Sequence, residues 1–219
     1  LNANISMYRN EVTDLGAPVD SLNQPIFTGN VFGSGDFVAI TDIGLPIATF
    51  WGFETAGIYQ TDEEAMADTA QANAVAGDVI FVDQNGDGVI NNEDKVVIGN
   101  PHPAFTYGFT AGAKYKNFDF NLFLQGSHGN DIYKGMFRYD LNTTNLPISA
   151  LDRWTGEGTS FDTPRVTHSD LNQNNRVSDR FIEDGSYLRI KSLMVGYTLP
   201  SNTLELSLIH ISEPTRHRL

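Results

Sequence analysis

The sequence predicts an all-β chain: a partial antiparallel transmembrane β-barrel with long extracellular loops. Three observations carry this. Residues 105–125 hold two alternating runs joined by only two residues, each about ten residues long, the length of a membrane-spanning β-strand. Long polar stretches flank that hairpin on both sides, and short turns at one end with long loops at the other mark an outer-membrane barrel. The chain is also rich in Asn, Asp, Gly, Ser and Thr and poor in Lys, a composition of turns and strands rather than helices.

Composition sets further bounds. The 219 residues include no cysteine, which excludes a disulfide framework and thiolate metal sites. A net charge of -13 argues against nucleic acid and anionic membrane surfaces as partners. No apolar run is long enough for a transmembrane helix. Leu1 falls inside an alternating segment with no initiator Met or signal peptide before it, so the chain reads as an internal fragment.

The elements follow in order. In residues 1–9, Leu1, Ala3, Ile5 and Met7 share one face against Asn2, Asn4 and Ser6, the pattern of a strand with one apolar face. Residues 10–60 are punctuated by Gly and Pro, with short apolar runs such as IATFWGF at 47–53. Residues 61–74, TDEEAMADTAQANA, are the helical candidate: Thr61 or Asp62 suits the N-cap, and Glu63 and Glu64 suit the first turn.

Residues 83–94, DQNGDGVINNED, have the spacing of a twelve-residue calcium loop. Asp83, Asn85, Asp87, Asn91 and Asp94 place side-chain oxygens at positions one, three, five, nine and twelve, and Val89 offers its main-chain carbonyl at position seven. Gly88 sits where the loop must turn and Ile90 where an apolar anchor belongs. Position twelve is Asp94 rather than the longer Glu of a helix–loop–helix site. The flanks GDVIFV and KVVIG are extended in character, so the prediction is a Ca2+-stapled loop between strands, not a sensor with helices to open. A plain Asn/Asp/Gly turn cluster shares this composition but does not demand the whole spacing.

In the hairpin, Phe105, Tyr107, Phe109, Ala111, Ala113 and Tyr115 share a face; Lys116-Asn117 turns; then Phe118, Phe120, Leu122 and Leu124 share a face. A hairpin in a soluble sandwich alternates the same way. Residues 126–185 are polar and irregular, and connections of that length are uncommon inside compact soluble domains. Residues 186–200 predict a last long strand with Tyr187, Leu193, Val195, Tyr197 and Leu199 on one face, interrupted by Arg189 and Lys191. The turn at Lys116-Asn117 and the one after Pro200 then lie on the periplasmic side, and residues 10–104 and 126–185 outside the cell.

Four segments in this order carry a family resemblance: PIATFWGFETAGIYQT (46–61), GDVIFVDQNGDGVINNEDKVVIGNPHPAFTYGF (77–109), YKNFDFNLFLQGSHGNDIY (115–133) and DRFIEDGSYLRIKSLMVGYTLP (179–200). Together they resemble the C-terminal barrel portion of SusC/RagA-type TonB-dependent outer-membrane transporters of Bacteroidetes; residues 1–45 match loosely. The resemblance implies a fragment of a 22-stranded plugged barrel that sits in the cell outer membrane and imports oligosaccharide or peptide. It also implies a SusD-like surface lipoprotein over the barrel, outer-membrane lipid around it, and contact with the TonB complex through an N-terminal part not among these residues. Residues 1–205 are then barrel strands and outer loops. Residues 206–216, LSLIHISEPTR, resemble a translated frame of a transposase-type sequencing adaptor, so 206–219 are expected to be an adaptor artefact outside the fold.

Other chemistry is set aside. His102, His128 and His168 share no metal-ligand spacing. The acidic pairs Glu63-Glu64 and Glu183-Asp184 are expected by chance among 27 acids. GSGDF at 33–37 lacks the strand-to-helix setting of a phosphate loop. Trp51, Tyr59 and Trp154 suit sugar stacking but suit packing better. The expectation is a non-enzyme. The competing readings are a secreted soluble β protein with a calcium loop, such as a carbohydrate-binding module, and a calcium-dependent glycan hydrolase, for which no carboxylate spacing presents itself.

Overall fold

The computed structural model describes residues 1–16, 24–30, 36–135 and 148–200. The predicted adaptor segment 206–219 and most of GSGDF therefore lie outside the described residues. In chain order the strands are β1 (Asn2–Ser6), β2 (Ile26–Asn30), β3 (Phe37–Thr41), β4 (Thr49–Gly52), β5 (Thr55–Ile58), β6 (Val79–Phe81), β7 (Val96–Gly99), β8 (Phe105–Tyr115), β9 (Phe118–His128), β10 (Asp131–Tyr133), β11 (Ile182–Asp184) and β12 (Tyr187–Tyr197). One α-helix, α1 (Asp62–Ala67), lies between β5 and β6. No helix among the described residues is long and apolar enough to cross a membrane, which leaves open a crossing by strands.

The chain divides into two compact units, one built from residues 1–6, 106–127 and the described part of 187–219, the other from 7–105 and 128–186. The first is a single sheet in the order β1-β8-β9-β12. Its three long strands have 11 residues each, which at about 3.4 Å per residue gives about 37 Å of strand. Tilted by about 40°, such a strand rises about 28 Å, close to the hydrocarbon thickness of a bilayer. The predicted hairpin is present, turning at Lys116-Asn117 with Lys116 at φ 54°, the left-handed geometry of tight hairpin turns. Past the end of β12, Thr198 N–H donates to Asn117 O at 2.8 Å.

The register gives this sheet one apolar face. Ala3 and Ile5 lie opposite Phe109 and Tyr107, and Tyr197, Val195 and Leu193 lie opposite Phe118, Phe120 and Leu122. The expected face of β12 is corrected here. Pairing shifts between Ile190 and Ser192, so Lys191 is an extra residue, a β-bulge. Because side chains alternate with period two, one extra residue exchanges the faces of everything before it. Leu188 and Ile190, opposite Gly126 and Leu124, join the apolar face, while Tyr187 and Arg189, opposite Ser127 and Gln125, move to the polar one. Arg189 interrupts nothing; its guanidinium lies 5.2 Å from the Tyr187 ring.

The second unit places short strands within the regions expected as long loops. Its short apolar runs pair into a four-stranded antiparallel sheet, β2-β3-β4-β7, and two further antiparallel pairs, β5-β6 and β10-β11, each joined by a long connection. Runs of three to five residues are too short to show a period in sequence. Val38, Ala39 and Ile40 of β3 are buried, as is a cluster of Phe53, Val79, Phe81 and Ile90. Gly52 has no room for a side chain, because a Cβ there would meet the Val177 carbonyl. That close approach lets Phe53 N–H donate to Val177 O at 2.9 Å and Asp179 N–H to Phe53 O at 3.0 Å.

The helix is shorter than 61–74. Thr61 caps it, accepting from Glu64 N–H, but it ends at Ala67. Asp68 is extended and caps the following 3-10 turn, Thr69–Gln71, by accepting from Ala70 N–H. A side chain that captures a main-chain donor in this way competes with continuation of the helix.

Candidate functional site

The loop 83–94 runs from the end of β6 towards β7, both extended as its flanks predicted. Its anchor is Ile90, buried beside Phe53, Val79 and Phe81. Polar side chains fold the rest onto its own backbone. Asp83 accepts from Gly86 N–H at 2.7 Å through Oδ1 and from Gly88 N–H at 2.8 Å through Oδ2. Asn85 Oδ1 accepts from Asp87 N–H, Asp87 Oδ1 from Val89 N–H, and Asn91 Oδ1 from Glu93 N–H. Gly86 and Gly88 both have positive φ, the conformation that lets successive N–H groups turn towards one carboxylate. The Asp83 carboxyl is held below its ordinary value, first by the Gly88 N–H and further by those of Gly86 and Asp87 and by the side chain of Asp94.

Asp94 closes the loop from inside. It has no solvent exposure, and its carboxylate accepts from Gln84 N–H at 3.0 Å and from Asn91 N–H at 2.7 Å. The shorter Asp at position twelve thus reaches the start of the loop and caps its last turn at once.

The donor chemistry fits a hard cation: carboxylate, amide and main-chain oxygens, with no nitrogen or sulfur. The geometry assembles this set in part. Among the described residues no three acidic, His or Cys side chains cluster closely enough to hold a metal ion, so Asp87 is not drawn together with Asp83 and Asp94. Asp87 Oδ2 instead receives the Asn85 amide at 3.2 Å, and the Val89 carbonyl receives the Asn91 amide at 3.4 Å. A bound Ca2+ would be held by Asp83 and Asp94 with Asn85, Asp87, Asn91 and Val89 completing its shell.

Beside the loop lies a feature that sequence reasoning missed. Asp78 is fully buried and accepts from Arg165 Nε at 2.7 Å, Asn174 Nδ2 at 2.9 Å and Val75 N–H at 3.0 Å. Gln71 and Asn172, also buried, are joined at 2.8 Å and both donate to Val79 O. These polar groups tie residues 71–81 to 165–174. Arg176 lies 5.2 Å from the Phe53 ring centre on which Lys95 also rests at 5.3 Å. Burial pushes the Arg176 guanidinium below its usual value, against the opposing charges of Asp36, Asp170 and Asp94. The run Asn172–Asn175 was the only trace of this in the sequence.

Other singled-out residues have local work. Glu64 accepts from Gln60 N–H at 2.7 Å, Glu183 pairs with Lys134 at 2.5 Å, and Asp184 accepts from Ser186 N–H at 2.8 Å. Tyr59 is buried, and Trp154 lies over Gly77, so both pack rather than present a stacking surface. His102 meets the Ile47 carbonyl at 2.8 Å.

No family model matches the chain. Among characterised proteins, TonB-dependent receptor P26 of Formosa agariphila is 31% identical over 199 residues, 90% of this chain and 20% of that protein. TonB-dependent receptor P3 of the same organism is 35% identical over 164 residues, 74% of this chain and 16% of that protein. TonB-dependent receptor SusC of Bacteroides thetaiotaomicron is 25% identical over 201 residues, 90% of this chain and 18% of that protein. The chain thus spans about a fifth of the length of these relatives. Among solved structures, the RagAB peptide transporter superposes with a TM-score of 0.61 at 22% identity, over 91% of this chain and 20% of that one.

Proposed function

We propose, from the premise that the chain belongs to the SusC/RagA-type TonB-dependent receptors, that it forms wall strands and outer-face loops of an outer-membrane nutrient importer. The apolar face of β1-β8-β9-β12 carries this reading. Leu188 and Ile190 are each 62% exposed and Val195 is 69% exposed, which is a liability in water and a requirement against lipid. Tyr115, Phe118 and Tyr197 gather at the short-turn end of that face, with Phe118 and Tyr197 rings 4.7 Å apart. Aromatic side chains suit the headgroup level of a barrel wall.

In this reading β1 and β12 are not free edges but neighbours of further strands in a 22-stranded plugged barrel, since an open sheet edge cannot stand in lipid. Residues 10–104 and 126–185 face the outside of the cell. A SusD-like lipoprotein lies over them, the TonB complex acts through the plug end, and the cargo is an oligosaccharide or a peptide. The chain has no catalytic role. Calcium in loop 83–94 stiffens a surface that the lipoprotein docks on; support comes from the twelve-residue spacing and the all-oxygen donor set.

These 219 residues hold no cysteine, so single cysteines introduced here report topology in an intact receptor whose cysteines elsewhere are replaced by serine. A cysteine placed at Gly158 is expected to react with a membrane-impermeant maleimide on whole cells, and one at Lys116 only after the outer membrane is opened. Labelling in the reverse order, or equal labelling of both in intact cells, would overturn the reading.

A further inference from the structure

We propose that Asn85 is a site of spontaneous covalent modification whose reaction is held back by Asp83. Asn85-Gly86 is the single Asn-Gly pair in the chain. The main-chain nitrogen of such a glycine attacks the Asn Cγ, the bond to the side-chain amide nitrogen breaks, ammonia leaves, and a five-membered succinimide closes. Water then opens either of its carbonyls, giving Asp or isoAsp. Glycine favours the reaction because no Cβ shields the nitrogen, and here the surroundings are open as well: nothing lies within 4 Å of where a Gly86 Cβ would stand. Both residues are exposed, so water enters and ammonia departs freely.

The folded loop opposes each step. The attacking Gly86 nitrogen is held in place by the hydrogen bond that its N–H donates to Asp83 Oδ1 at 2.7 Å. The Asn85 carbonyl is held by Asp87 N–H at 2.9 Å, and its NH2 group faces Asp87 Oδ2 at 3.2 Å and Glu93 Oε2 at 3.5 Å. Asn85 must leave all of these before its Cγ meets the nitrogen. The loop is therefore inert while ordered and reactive when opened. The two products differ in effect: Asp adds a carboxylate at position three, whereas isoAsp lengthens the main chain by one atom and removes the side chain from its turn. These hydrogen bonds restrain Asn85 without a bound cation.

The test follows Asn85 by peptide mapping in the purified intact receptor, with chelator present throughout, beside a synthetic peptide of residues 81–96. Deamidation is read as a gain of about 1 Da, with isoAsp read by isoaspartyl methyltransferase labelling. Asn85 in the receptor is expected to react at least about tenfold more slowly than in the peptide, the effect of one hydrogen bond to a charged group. Asp83→Asn in the receptor is expected to bring the rate towards that of the peptide, and Gly86→Ala in the peptide to suppress it. Equal rates in receptor and peptide overturn the proposal even where Asp83→Asn does not fold. So does an Asp83→Asn receptor that folds and reacts at the wild-type rate.

Discussion

Arg165 grips Asp78 with two nitrogens, Nε at 2.7 Å from Oδ1 and Nη2 at 3.2 Å from Oδ2, and the carboxylate it holds is wholly out of solvent. The two residues are 87 apart in sequence, so the pair locks together the two stretches of chain that make the second unit. Removing one partner leaves the other as an uncompensated buried charge, which costs about 3–5 kcal/mol. Arg165→Ala is expected to lower the melting temperature and expose residues 71–81 to protease. Asp78→Asn combined with Arg165→Ala is expected to recover most of the loss, because no charge remains buried. A double variant no more stable than Arg165→Ala would show that lost packing, not the stranded charge, sets the cost.

The loop at 83–94 separates two kinds of damage. Asp94 braces the loop with or without a cation, since its buried carboxylate accepts two main-chain N–H groups. Asp87 lies at the exposed tip and accepts one, from Val89. Asp94→Ala is expected to make the loop protease-sensitive even in chelator. Asp87→Ala is expected to lower the calcium content of the intact receptor and to loosen the loop only when calcium is supplied to the wild type for comparison. Calcium content and protease resistance both unchanged in Asp87→Ala would sink the cation reading.

What could be read in the sequence follows the range of the interactions. The hairpin was legible because Phe105–Tyr115 and Phe118–His128 keep period two for 11 residues each around a two-residue turn. The loop was legible because Asp83, Asn85, Asp87, Asn91 and Asp94 each bind a main-chain group two to ten residues away. The second unit was not, because its interior is held by polar residues far apart: Asn172 meets Gln71 across 101 positions and Asn174 meets Asp78 across 96. Alternation cannot announce a buried Asn. The bulge in β12 was hidden for another reason. Two registers of that strand have nearly equal apolar counts on one side, and only pairing with β9 decides between them.

Two tyrosines give the second unit an alkaline limit. Burial first, then its hydrogen bond to Asp68, raises Tyr59 above the usual phenol range, and burial with the charge of Asp36 pushes Tyr133 up to about 12. Unfolded, both ionise near 10. The folded state holds these protons more tightly, so the stability they contribute is complete below pH about 10 and is lost as pH rises from there through about 12. Tyrosinate absorbance is expected to show two groups lagging behind the exposed ones, then ionising as the unit unfolds. Tyr133→Phe is expected to weaken the pH dependence within that window. A single titration of all tyrosines near 10 with the unit intact would contradict this.

The bulge at Lys191 makes the sharpest prediction, because it acts through geometry rather than through the residue itself. Leu193, Val195 and Tyr197 keep their partners Leu122, Phe120 and Phe118 whatever happens before them. Deleting Lys191 brings Ile190 next to Ser192, whose partners Leu124 and Phe123 are already consecutive on β9, so pairing becomes unbroken and Leu188 and Ile190 stay on the apolar face. That deletion is expected to keep the heat-modifiable, membrane-inserted form of the receptor on unheated gels. Deleting Ser192 as well removes one paired position and turns Tyr187–Ile190 over: Leu188 and Ile190 leave the apolar face and Arg189 enters it. An arginine on the lipid side of a barrel costs up to about 2–4 kcal/mol at the bilayer midplane, and two large apolar side chains are withdrawn from lipid with it, so the double deletion is expected to abolish the inserted form. Because both deletions remove the same charge, a difference between them isolates the face reversal, and normal insertion of the double deletion would mean that β12 does not face lipid along its first half.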